Sequence, residues 1–144
     1  MGLLSGLQTG FLRLHQAAYE GTRGAIGHRT IGVPSLLLTS VGRRSGQART
    51  AALIYAKDGD SYVVTASNSG ADAPPGWLFN VKADPSVDVR VGRRRFAALA
   101  DVVGPEDPRY GALWNLVNRR NLGRYRRYQT KTTRPIELVR LTPA

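Results

Sequence analysis

Ser35-Leu36-Leu37-Leu38-Thr39-Ser40-Val41-Gly42-Arg43-Arg44-Ser45-Gly46-Gln47-Ala48-Arg49-Thr50 is the stretch that decides the fold. Residues 35–41 are a compact apolar run between Pro34 and Gly42, the pattern of a strand. A second strand follows from Thr50 to Ala56. The connection between them, Gly42 to Arg49, is unusual in chemistry. Two glycines let the backbone turn tightly and point its N–H groups at one spot. Arg43 and Arg44 supply planar forks suited to phosphate or carboxylate, and Ser45 adds a hydroxyl donor. Arg49 stands where the next strand begins and reaches back toward the same anion. These residues describe an anion cradle, and they equally suit a charged hairpin turn. The loop is not a phosphate-binding Walker loop, because the Gly-Lys-Ser/Thr ending and the following helix are missing.

Downstream, Asp58-Gly59-Asp60 reads as a hairpin turn leading into a strand from Ser61 to Ala66. Ser67 to Gly76 is a polar loop, and Trp77 to Lys82 is a short helix ended by Asp84-Pro85. Val87 to Val91 and Phe96 to Val103 are strands around a turn at Gly92. A helix is expected from Pro108 to Asn118, with Tyr110, Leu113, Leu116 and Val117 on its apolar side. Asn121 to Thr133 is a basic segment, and Ile136 to Leu141 is a last strand. Upstream, Gly21 to Pro34 reads as a loop. Residues 3–19 read as an amphipathic helix, with Leu3, Leu7, Phe11, Leu14 and Ala18 at helical spacing. Six strands with flanking helices predict a single α+β domain over 1–144, mainly β, built as a small barrel decorated by helices. The segment 1–20 is expected to lie over the pocket.

Composition narrows the chemistry. The chain has 144 residues and no cysteine, which excludes disulfides, thiolate catalysis and cysteine-bound zinc. His15 and His28 are the only histidines, so no metal site is expected. No apolar run approaches the roughly 20 residues of a bilayer span. No secretory signal is visible either, so a cytoplasmic location is expected. The net charge is +11, and all but Lys57, Lys82 and Lys131 of the 21 basic residues are arginine. Such a field draws nucleic acid, anionic lipid or an anionic small molecule, and charge alone does not choose among them.

Two further stretches carry chemical potential. Ala66-Ser67-Asn68-Ser69-Gly70, with Trp77 and Asn80 after it, offers small polar groups and one amphipathic ring to a flat heterocycle. Asn118 to Arg134 holds seven basic residues and no acidic one. Its Tyr125 and Tyr128 stand three apart and share a helix face. That segment suits either single-stranded nucleic acid or the wall of a pocket for a planar substrate. No Ser-His-Asp arrangement or paired-carboxylate motif appears. Redox chemistry needs less from side chains, because a flavin-type cofactor carries the hydride itself.

Taken in order, these stretches resemble the deazaflavin-dependent nitroreductase family of the flavin/deazaflavin oxidoreductases. The resemblance rests on Leu36 to Thr50, Ala66-Ser67-Asn68, Pro75-Gly76-Trp77-Leu78-Phe79-Asn80, Lys82-Ala83-Asp84-Pro85, and Tyr125 to Arg134 before the last strand. It implies a split β-barrel of the FMN-binding kind and coenzyme F420 as cofactor, with the deazaflavin favoured over FMN. F420 is an 8-hydroxy-5-deazaflavin bearing a phosphate and an oligoglutamate tail. The phosphate contacts would fall on Arg43, Arg44, Ser45 and Arg49, and Gly46 and Thr50 would also bind the cofactor. Ring and ribityl contacts would fall on the strand backbone of Ala52, Leu53, Ile54 and Tyr55, and on Ser67, Asn68, Trp77 and Asn80. Ser67, Tyr125 and Tyr128 would be the catalytic residues. The implied acceptor is a quinone, with enones and nitroaromatics as further acceptors, and no nucleic acid partner is expected. The implied state is a monomer or homodimer, with weak peripheral attachment to the inner face of the cell membrane. One departure is Asn121-Leu122-Gly123-Arg124, where the family often has a proline two before the tyrosine.

Overall fold

The computed structural model describes Arg29–Thr30 and residues 33–144. The helix expected over 3–19, and with it the segment 1–20 over the pocket, lies outside the described residues. The strands are β1 (Arg29–Thr30), β2 (Val33–Val41), β3 (Ala48–Asp58), β4 (Ser61–Thr65), β5 (Ser86–Val91), β6 (Arg94–Val103) and β7 (Leu138–Pro143). The helices are α1 (Gly76–Ala83), α2 (Tyr110–Arg120) and α3 (Arg124–Gln129), and a 3-10 turn spans Asn68–Gly70.

All pairings are antiparallel, in the order β1-β2-β3-β4-β7-β6-β5. β5 also pairs back onto β2, with Leu38 opposite Val89, which closes β2 to β7 into a six-stranded barrel. Closure pairs the strand edges that an open sheet would leave bare. Alternation along each strand sorts the side chains. Leu36, Leu38, Tyr62, Val64, Val87, Val89, Ala98, Val139 and Leu141 point inward and form the main core. Leu78 and Val81 of α1 join that core, so the helix plugs one end of the barrel. A second core lies on the outer face, where Ala56, Val63, Val103 and Leu138 meet Leu113 and Val117 of α2 and Tyr125 of α3. β4 is therefore covered on both faces, which accounts for its unbroken burial.

Each strand after the first two-residue one matches a strand read from sequence, with shifted ends. β6 starts at Arg94 rather than Phe96, because its ladder with β5 runs on through exposed arginines. β2 starts at Val33, where a short pairing with β1 replaces the tail of the expected loop. α2 begins at Tyr110 rather than Pro108. The chain turns there on Asp107, whose carboxylate accepts the Arg109 backbone N–H at 2.9 Å. Hydrogen bonds from Arg109 hold that carboxyl down at about 2. The last strand begins at Leu138 rather than Ile136, because the Ile136 N–H donates to Gln129 Oε1 at 3.0 Å and so belongs to the α3 side.

Candidate active site

The loop between β2 and β3 is closed by its own backbone. Gly42 N–H donates to Gln47 O at 2.7 Å, and Gly46 N–H donates to Gly42 O at 2.8 Å. A Cβ on Gly42 would stand 2.8 Å from Ser45 Oγ and 3.1 Å from Gln47 O, so only glycine fits without a shift. Gly46 makes the corner at φ +72°. The arginines divide their work. Arg43 folds back onto α1, where its backbone N–H and Nη1 both donate to Asn80 Oδ1, at 3.1 and 3.0 Å. Its guanidinium also lies 5.0 Å from the Phe79 ring centre. Arg49 Nη2 donates to Ser45 Oγ at 3.4 Å. Among the described residues no carboxylate pairs with Arg43, Arg44 or Arg49. Their positive field is left for an anion.

These side chains border a cavity of about 450 Å³ that brings together Arg43, Arg44, Ser45, Arg49, Thr50, Trp77 and Asn80. A second cavity of about 440 Å³ lies over the outer face of β3 and β4. It brings together Ala52, Leu53, Ile54, Ser67, Asn68, Trp77, Tyr125 and Tyr128. Trp77 belongs to both, so one indole wall joins a cationic compartment to a hydroxyl-bearing one. Two residues of the expected set border neither cavity. Gly46 shapes the loop corner. The Tyr55 ring is buried, packed edge-on at 5.1 Å against Tyr62, so only its backbone is left for a ligand. Asn80 is buried and its oxygen already serves Arg43, which makes it the anchor of the loop.

The tyrosine wall depends on two buried asparagines. Asn118 Oδ1 accepts the Arg126 N–H at 2.8 Å, and Asn121 Nδ2 donates to Val117 O at 2.9 Å. Directly after Asn121, Leu122 and Gly123 adopt φ of +60° and +69°, reversing the chain into α3. α3 then turns Tyr125 inward, with Tyr128 edge-on at 6.2 Å. Burial pushes the Tyr125 phenol up to about 12, against the opposing pull of the Arg124 charge. It therefore keeps its proton at neutral pH. Sequence reading did not single out Arg124 or Thr65, which also line the second cavity. Arg124 Nε is buried there without a hydrogen-bond partner. Its place directly before Tyr125 was the available signal.

Comparison with known proteins agrees with this geometry. A family model described as F420H(2)-dependent quinone reductase matches residues 11–143. The chain belongs to that family. It is 51% identical over 132 residues to an F420H(2)-dependent quinone reductase of Mycobacterium tuberculosis, covering 91% of this chain and 89% of the relative. Among solved structures it is similar to an F420-H2 dependent reductase at TM-score 0.67 and 31% identity, covering 78% of this chain and 99% of that one. Another, described as a domain-swapped dimer, has TM-score 0.68 and 30% identity, covering 88% of this chain and 97% of that one. The protein is thus an F420-dependent oxidoreductase of the split-barrel kind, as the resemblance implied.

The residues present suit that cofactor. The glycine loop, whose arginines meet no carboxylate among the described residues, suits a phosphate, and the two cavities sharing Trp77 give an elongated molecule two compartments. Arg124 borders the second one and adds its positive charge there. Among the described residues no group of side chains could hold a metal ion, and no helix is long and apolar enough to cross a membrane.

Proposed function

We propose that this enzyme reduces a quinone in the cavity bounded by Trp77, Ser67, Tyr125 and Tyr128, with nitroaromatics and enones as incidental acceptors. When bound, reduced F420 supplies the hydride. The observation that carries the reading is the pair of cavities on either side of Trp77, one cationic and one bearing hydroxyls. Arg44, Ser45 and Arg49 hold the anionic part, while Arg43 is kept in place by Asn80. The Ala52–Ile54 strand and Trp77 set the floor and wall for the deazaflavin ring, and a flat acceptor stacks over that ring beside Tyr125 and Tyr128. A quinone that takes up a hydride needs one proton to become the quinol. Ser67, Tyr125 or Tyr128 delivers it; burial keeps the Tyr125 phenol protonated but makes it a weaker acid, so its place at the cavity rather than its acidity supports the role.

The acceptor class supports a membrane contact. Leu122 is 79% exposed at the α2–α3 turn, and Arg119, Arg120, Arg126 and Arg127 around it in sequence are all exposed. An apolar tip within a cationic skirt matches an anionic bilayer surface. It stands two residues before Arg124, which lines the acceptor cavity.

The test is steady-state oxidation of F420H2 with menadione by wild type, Ser67→Ala, Tyr125→Phe and Tyr128→Phe. Loss of the proton source lowers kcat by about 10²-fold or more in at least one variant, with cofactor affinity retained in Tyr125→Phe and Tyr128→Phe. Wild-type kcat in all three would remove the proposed proton delivery.

A further inference from the structure

The turn that carries Ser67 is strained. Asn68, Ser69 and Gly70 have φ of +45°, +55° and +83°, three left-handed residues in succession, two of them not glycine. Such backbone persists only where the surroundings over-determine it. Within the turn, Gly70 N–H donates to Ser67 O at 2.9 Å and Ala71 N–H to Asn68 O at 3.0 Å. Those two bonds are local and cannot fix the turn against the rest of the molecule.

Arg134 does that. Its Nη2 donates to Ser67 O at 2.8 Å, its Nη1 to Ala66 O at 3.2 Å and its Nε to Ala71 O at 2.9 Å. One guanidinium takes carbonyls on both sides of the strained residues. Among the described residues no carboxylate pairs with it, so its charge is spent on those carbonyl dipoles. Arg134 is itself gripped. Gln129 Nε2 donates to Arg134 O at 2.8 Å, while Gln129 Oε1 accepts the Ile136 N–H. Gln129 is the last residue of α3, the helix that bears Tyr125 and Tyr128. The turn also leans directly on that helix, since a Cβ on Gly70 would lie 2.7 Å from Tyr128 O.

We infer that Arg134 is a positioning residue for the reduction. Through a clasp running from Gln129 to Arg134 to the 66–71 turn, it sets the Ser67 hydroxyl against the Tyr125–Tyr128 wall. The inference rests on the second cavity being the acceptor site. Lysine cannot substitute, because an ammonium donates from one point whereas the three carbonyls match a planar fork.

The experiment uses full-length Arg134→Ala and Arg134→Lys. Without any ligand, amide hydrogen exchange at Gly70 and Ala71 should rise by about tenfold or more in both variants, with the β2–β7 amides unchanged. With F420H2 and menadione, kcat should fall by about 10²-fold, as for a slightly misplaced reacting group, while F420 affinity changes far less. Millimolar guanidinium should then restore turnover to Arg134→Ala, and equal sodium chloride should not. Unchanged exchange at Gly70 and Ala71 overturns the clasp. A lost kcat that guanidinium cannot restore overturns the positioning role. If Arg134→Ala does not fold, exchange and kcat in Arg134→Lys decide the matter. If wild type itself fails to reduce menadione, the acceptor reading fails instead, and the exchange measurement alone decides the clasp.

Discussion

Removing the two outward arginines of the glycine loop, Arg44→Ala with Arg49→Ala, should weaken F420 binding without disturbing the fold. Both side chains are exposed and border the cationic cavity, and neither is needed to close the loop. Closure comes from the Gly42–Gln47 and Gly46–Gly42 backbone bonds and from Asn80 holding Arg43. A hydrogen bond to a charged group contributes about 1.5–3 kcal/mol, and exposure puts these two at the low end. Two such contacts make about 3 kcal/mol, or about 10²-fold in Kd. The second signature is salt. Exposed charges are screened over a Debye length of about 10 Å at 0.1 M and 3 Å at 1 M. Wild-type affinity should therefore fall steeply with salt, and the double variant's should fall much less. Intrinsic tryptophan fluorescence follows binding, because Trp77 borders both cavities. A double variant that binds with wild-type affinity, or that keeps the wild-type salt slope, would refute the assignment of the phosphate to this loop.

Two other outcomes follow from the structure. Burial raises the Tyr125 phenol from 10 to about 12, so the folded chain holds this proton after the unfolded chain has lost it. The associated stability is complete below pH 10 and lost as pH climbs from 10 toward 12, by about 2–3 kcal/mol. Denaturant titrations at pH 9 and 11 should show about half of that loss in wild type and a smaller one in Tyr125→Phe; equal losses would contradict it. The absence of cysteine makes a one-site membrane probe simple. A polarity-sensitive dye on Leu122→Cys should shift to the blue on phosphatidylglycerol vesicles, while one on the exposed Leu99→Cys should not. A shift at both sites or at neither would count against the Leu122 surface.

The parts of this molecule that were legible in its sequence are those written locally. Ser35 to Val41 announces a strand because seven residues in a row suit a buried pleat, and Asp58-Gly59-Asp60 announces its hairpin because Gly59 takes φ of +60°. The cradle at Gly42 to Arg49 was legible as chemistry and ambiguous as structure. A glycine-arginine loop reads the same as a turn until the Asn80 anchor and the shared Trp77 wall are seen. Residues 94 and 95 hid the start of β6, since charge on an exposed face says nothing about backbone pairing. The anchoring role of Asn80 was not legible, because its partner Arg43 is 37 residues away and a short helix gives no local reason for a polar side chain to be buried. Arg134 was invisible as a clasp for the same reason. Its carbonyls lie 63 to 68 positions upstream, and no periodicity in a basic segment points to them.

The most direct test of the whole account is the oxidation of F420H2 by menadione, followed at 420 nm with purified protein, beside the same assay with reduced FMN. Menadione-dependent turnover with F420H2, and little or none with reduced FMN, is the expected result. Absence of turnover with F420H2, or equal turnover with both cofactors, would contradict it.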